Sequence, residues 1–108
     1  MLKKINRISK KAEFGEVKEK GLMVNTPLFG FRWIKKEDDE KKFGFIISKK
    51  ISKRAVDRNR IKRLLAEVVR KNLDKFEKGM RGIFLVKKEI LGKGLIEIEG
   101  NMDKCLKG

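Results

Sequence analysis

Apolar and polar residues alternate in two stretches of this chain and recur with a helical period in others. In "LFGFRWI", Phe29, Phe31 and Trp33 fall on one face of a strand, with Leu28, Gly30, Arg32 and Ile34 on the other. The aromatics predict a core-facing side. The opposite side then exposes Arg32 beside a glycine. "KFGFIISKK" repeats the pattern, with Phe43, Phe45 and Ile47 on one face and Gly44, Ile46 and Ser48 on the other. Ile83 to Val86 is a continuous apolar run, which suits a strand covered on both faces.

Helical spacing takes over elsewhere. Ser9 is read as the cap of a helix over Lys10 to Lys20, ended by Gly21, with Phe14 and Val17 sharing a face. A longer helix is predicted from about Arg58 to Phe76, capped by Asp57, whose carboxylate accepts from first-turn amides. On a wheel of about 100° per residue, Ile61, Leu64, Leu65, Val68, Val69 and Asn72 form one stripe. Arg63 and Arg70 lie opposite it. Arg60 and Lys71 flank one edge, Arg58 and Lys62 the other. "GLMVNTP" reads as irregular, and Leu95 to Lys107 as weakly helical at best because Gly100 sits in its middle. "KKEDDEKK" reads as a solvated hairpin connection whose acidic centre, Glu37 to Glu40, points away from any bound anion. The order is α, β, β, α, β, α, with an extra short strand allowed. That order and the 108 residues predict one α+β domain, a two-layer sandwich over residues 1–108.

Charge narrows the class of partner. Thirty Lys and Arg face fifteen Asp and Glu, a net charge of +15. Binding a polyanion relieves that self-repulsion and releases counterions, so nucleic acid is the expected partner. A membrane surface is the weaker reading, and no apolar run approaches the ~20 residues that span a bilayer. The basic start, "MLKKINRISKK", has no apolar stretch behind it and is not read as a secretory signal. The single cysteine, Cys105, forms no internal disulfide, suits a reducing cytoplasm and is read as a small buried hydrophobe. There is no histidine, which removes the commonest general base and metal ligand.

The cations concentrate in "SKKISKRAVDRNRIKR", Ser48 to Arg63. Eight of its sixteen residues are Lys or Arg, and only Asp57 is acidic. A strand and a capped helix bracket the segment, and no Gly or Pro loosens it, so its charges sit at fixed spacing, as phosphates do. Arginine adds bidentate grip and stacking. A sheet beside a basic helix suits a single strand, which favours RNA over DNA. No zinc-ligand or zipper pattern is present. There is no tyrosine and no constellation of carboxylates, so catalysis by the chain itself is not expected.

"KFGFIISKK" followed by "AVDRNRIKRLLAEVVRKN" resembles the protein subunit of bacterial ribonuclease P. The matching positions are Gly44, Ser48, Lys49 and Lys50, then Arg58, Asn59, Arg60, Lys62 and Arg63. Phe14 in the first helix, Lys20–Gly21, and Lys78–Gly79 before an apolar strand that ends at Lys87 also fit. The resemblance spans about residues 2 to 90.

The resemblance implies a fold whose crossover at the basic signature is left-handed, against the usual rule. It implies an endoribonuclease that works as a ribonucleoprotein. An RNA subunit cleaves precursor tRNA with magnesium that it mainly holds itself; the protein binds no metal tightly and supplies no catalytic residue. Lys53, Arg54, Arg58, Asn59, Arg60, Lys62 and Arg63 would contact the catalytic RNA. Phe14, Lys18, Arg32, Ser48, Lys50, Arg58 and Lys62 would line or rim a cleft for the 5′ leader. The free protein would be a cytoplasmic monomer. Four positions depart from the family pattern. Lys18 stands where a second aromatic is frequent, Arg32 where a cleft tyrosine is usual, and Ala66 at a basic position, while the loop "ISKRAVD" is one residue longer than usual. The first two exchange stacking for charge, and the fourth unsettles the placement of Lys53 and Arg54. A ribosomal or assembly RNA-binding protein, and a self-sufficient nuclease, are the alternatives.

Overall fold

The alternating stretches pair into a single sheet. The computed structural model describes residues 3–106. Helix α1 is Lys11–Lys20. Strands β1 (Leu22–Asn25), β2 (Phe29–Lys35) and β3 (Lys42–Ile46) come next, then helix α2 (Ala55–Lys71), strand β4 (Met80–Val86) and helix α3 (Leu95–Leu106). The sheet order is β1-β2-β4-β3. β3 lies parallel to β4 and the other pairs are antiparallel. The crossover from β3 through α2 to β4 therefore joins neighbouring parallel strands. The N-terminal segment extends the β3 edge, bridging Arg7 to Phe43.

The two sheet faces are covered differently. Phe29, Phe31, Phe43, Phe84 and Met80 turn to one face and form the main core with Ile61, Leu65, Val68 and Val69 of α2 and Ile98, Met102 and Cys105 of α3. Burial of these side chains is the main force holding the layers together. On the other face Val17 of α1 packs on Ile83 and Ile8, with Phe14, Ile34, Ile46 and Leu85 partly buried around them. β4 is covered from both sides, as its unbroken apolar run predicts. Asn72, the polar interruption of the α2 stripe, is buried and donates to the Val68 carbonyl at 2.8 Å.

Several expectations give way. Lys10, not Ser9, precedes α1, and no side chain caps it. "GLMVNTP" contains β1, because Leu22–Asn25 finds a partner along β2. Leu95–Leu106 is a full helix. Ile98, Met102 and Cys105 recur on its inner face, and their burial outweighs the ~1 kcal/mol that Gly100 costs. Asp57 is not the cap of α2. The helix begins at Ala55, and Asp57 lies in its first turn and accepts from the Ser52 hydroxyl at 2.9 Å. The helix also stops sooner, at Lys71, and a separate 3-10 turn, Leu73–Lys75, leads to Phe76. On the stripe, Ala66 is buried as well, so the covered arc is wider than the wheel suggests.

The acidic turn does more than face solvent. Arg81, on the α1 face of β4, is 3% exposed. Its guanidinium meets Glu13 of α1 at 3.1 Å and Asp38 at 2.6 Å, and donates to the Glu40 carbonyl at 3.0 Å. Burial pushes Glu13 up, but hydrogen bonds from Arg81 and Lys36 outweigh it and hold the carboxyl below its ordinary range. Arg81 likewise holds Asp38 down. The turn is thus bound to the first helix through a buried cation. Gly79 closes the same corner: its φ of +84° is left-handed, and a side chain there would strike the Lys36 carbonyl.

Candidate nucleic-acid interface

The basic segment leaves β3 through an exposed turn that carries Ser48, Lys49 and Lys50. Ile51 then inserts into the main core. Ser52 ties this turn to the first turn of α2. Its hydroxyl donates to Asp57, the Arg54 amide donates to the same hydroxyl oxygen at 3.2 Å, and Arg58 Nη1 donates to the Ser52 carbonyl at 2.7 Å. Arg54 also stands 3.9 Å from Asp57. An anchored apolar side chain and a closed hydrogen-bond loop therefore fix where α2 begins. Lys53 and Arg54 lie exposed just ahead of it.

The signature cations are not equivalent. Arg58 is half-buried and folded back on Ser52. Arg60 leans to the opposite side, 3.4 Å from the Lys93 carbonyl. Lys62 and Arg63 have no carboxylate partner among the described residues. With Asn59 they line a groove that Arg7, Phe45 and Ala66 also line, with the exposed Val56 at its rim. Arg63, expected to point straight out, thus shares a surface with Lys62. Arg7 is the residue that sequence reasoning missed. The available signal was the basic N-terminus, once the N-terminal segment is seen to pair with the edge strand.

On the other sheet face, the Phe14 ring rests on Gly44. Arg32 lies along the end of α1: its stem covers Gly21 and its guanidinium donates to the Lys18 carbonyl. A cation placed there satisfies a free carbonyl of the last helical turn and complements the helix dipole.

This is a small α+β domain with a constrained Ser-Lys-Lys turn and an Arg-Asn-Arg-x-Lys-Arg helix start at the sheet edge. The sequence matches the family model for Ribonuclease P over residues 2–108. The chain belongs to the ribonuclease P protein family. It is 33% identical to the ribonuclease P protein component of Nitratiruptor sp., across 97% of this chain and 93% of that one. It is 34% identical to that of Clostridium kluyveri, across 95% and 93%. The solved Staphylococcus aureus RNase P protein superposes with a TM-score of 0.84 at 27% identity, covering 96% of this chain and 94% of that one.

Within the ribonuclease P family frame, the residues expected to touch RNA distribute over three places. Phe14, Lys18 and Arg32 lie where α1 meets the sheet. Ser48 and Lys50 lie on the exposed turn. Arg58, Asn59, Arg60, Lys62 and Arg63 lie along the start of α2, with Lys53 and Arg54 before it. Ala66 is buried against the main core and adds an apolar surface to the groove. Among the described residues no three His, Cys, Asp or Glu side chains group as metal ligands. No helix among them is long and apolar enough to cross a membrane.

Proposed function

We propose that this chain is the RNA-binding subunit of a ribonuclease P holoenzyme and assists removal of the 5′ leader from precursor tRNA. In this reading the partner RNA carries the catalytic site and most of the magnesium, and the protein supplies cations and a cleft. The observation that carries the proposal is the fixed start of α2. Ser52, Asp57 and Arg58 lock its position, and Lys62 and Arg63 remain without carboxylate partners among the described residues. Cations held at set spacing neutralise set phosphates, which raises affinity for a folded RNA and lowers the magnesium it needs.

The leader is the second ligand of this reading. The surface around Phe14, Arg32, Ser48 and Lys50 takes it as a single strand, by one aromatic ring and several cations. Precursor tRNA is then favoured over mature tRNA because only the precursor has a leader. The test is reconstitution with the cognate RNA subunit at low magnesium. Cleavage of leader-bearing tRNA no faster with the protein than without it would sink the proposal.

A further inference from the structure

We propose that the groove between α2, β3 and the N-terminal segment is a pocket for one unpaired nucleotide of the bound RNA, with Phe45 as its stacking platform. The proposal deepens the RNA-binding reading above and rests on it for the identity of the RNA. The groove holds about 420 Å³, within the roughly 300–1,000 Å³ of small-ligand sites. Its chemistry is divided as a nucleotide's is. Arg7, Lys62 and Arg63 stand on its walls, and no carboxylate pairs with any of them among the described residues. Four other cations near the two sheet faces are engaged, Arg81 and Lys36 by carboxylates and Arg58 and Arg60 by backbone carbonyls. Its apolar lining is the part-buried Phe45 and the buried Ala66, with the exposed Val56 at the rim.

The Phe45 ring is held ready. It stacks on Phe84 with centroids 5.5 Å apart and planes inclined by 16°. One of its faces is thus spent on the core while its residue lines the groove. A ring so fixed loses little freedom when a base lies on it, and stacking of this kind accepts any base. The exposed Asn59 amide, on the groove wall, can both donate to and accept from a base edge. A base inside a duplex cannot reach such a floor, so the occupant is an extruded or single-stranded nucleotide.

The test uses the full-length protein and a short single-stranded RNA with 2-aminopurine at its centre, at low salt. Wild-type protein should quench the fluorophore on binding. Phe45→Leu keeps an apolar floor but removes the ring. It should abolish most of the quenching and weaken binding about tenfold, with the salt slope unchanged. Val56→Glu, at an exposed helix position, sets a carboxylate against the three cations and should weaken binding at least as much while lowering the slope. It also serves as the second variant if Phe45→Leu fails to fold. Absent quenching with wild type, or quenching by Phe45→Leu equal to wild type, overturns the pocket. Failure of the holoenzyme reading shows separately, as wild-type protein that binds the cognate RNA subunit no better than an unrelated RNA of equal length.

Discussion

The ring of Phe14 lies directly on Gly44: a Cβ built on that glycine would stand 2.6 Å from two of the ring carbons. The contact sets how closely α1 approaches β3, and so the shape of the surface assigned to the leader. Gly44→Ala must displace the ring. Overpacking of this kind costs about 1–3 kcal/mol, read as a lower melting temperature. The variant should also lose preference for precursor over mature tRNA in paired binding assays. Phe14→Ala should lose that preference while binding the RNA subunit normally.

Arg81 predicts an acid limb of the stability curve. Glu13 and Asp38 have ordinary values of 4.5 and 3.8 and are held below them in the folded protein. Carboxyls lowered by folding stabilise it above the ordinary values and lose that contribution as the pH falls through the folded ones. The melting temperature should therefore drop as pH falls below about 4.5. Arg81→Met leaves the largely buried Glu13 with only Lys36 as a partner and should cost about 2 kcal/mol at neutral pH, less than a fully buried pair because Lys36 remains and Asp38 and Glu40 are solvated. Its acid limb should be shallower than that of wild type in melts across pH.

The sheet, the α2 stripe and the both-faces burial of β4 were legible because each rests on strong local periodicity. Strand β1 was not, since four residues with one poor alternation gain stability only from pairing with β2. Helix α3 was hidden for a similar reason: Gly100 lowers its local propensity, and Ile98, Met102 and Cys105 show their worth only against the core. The Arg81 cluster joins Glu13 to a residue 68 positions away, and no spacing rule links them. At the interface, the cations were visible as a run. The wheel could not show that Arg58 and Arg60 are turned onto carbonyls while Lys62 and Arg63 meet Arg7 across a groove.

That division predicts different phenotypes within one signature. Arg63→Ala should leave the melting temperature unchanged and lower the salt slope of RNA-subunit binding by about one. Arg58→Ala removes a 2.7 Å bond to the Ser52 carbonyl and should also lower the melting temperature, by loosening the start of α2. Equal melting temperatures for the two variants would show that the Ser52 latch does not hold the turn.

Cys105 is buried between α3 and the core, and desolvation pushes its thiol up to about 12. It should resist thiol reagents at neutral pH in the folded state and react on unfolding. Timed labelling with and without sulfate therefore reports whether the free protein, with its +15 charge, is fully folded before an anion arrives. Slow labelling that sulfate does not slow further would mean that it is.

The most direct measurement is single-turnover cleavage of a leader-bearing precursor tRNA by the cognate RNA subunit at low magnesium, with and without this protein. The proposed role predicts faster cleavage with protein, a gain that shrinks for a substrate trimmed to a minimal leader, and a further loss with Arg63→Ala at raised salt. Equal rates with and without protein at every magnesium concentration would contradict it.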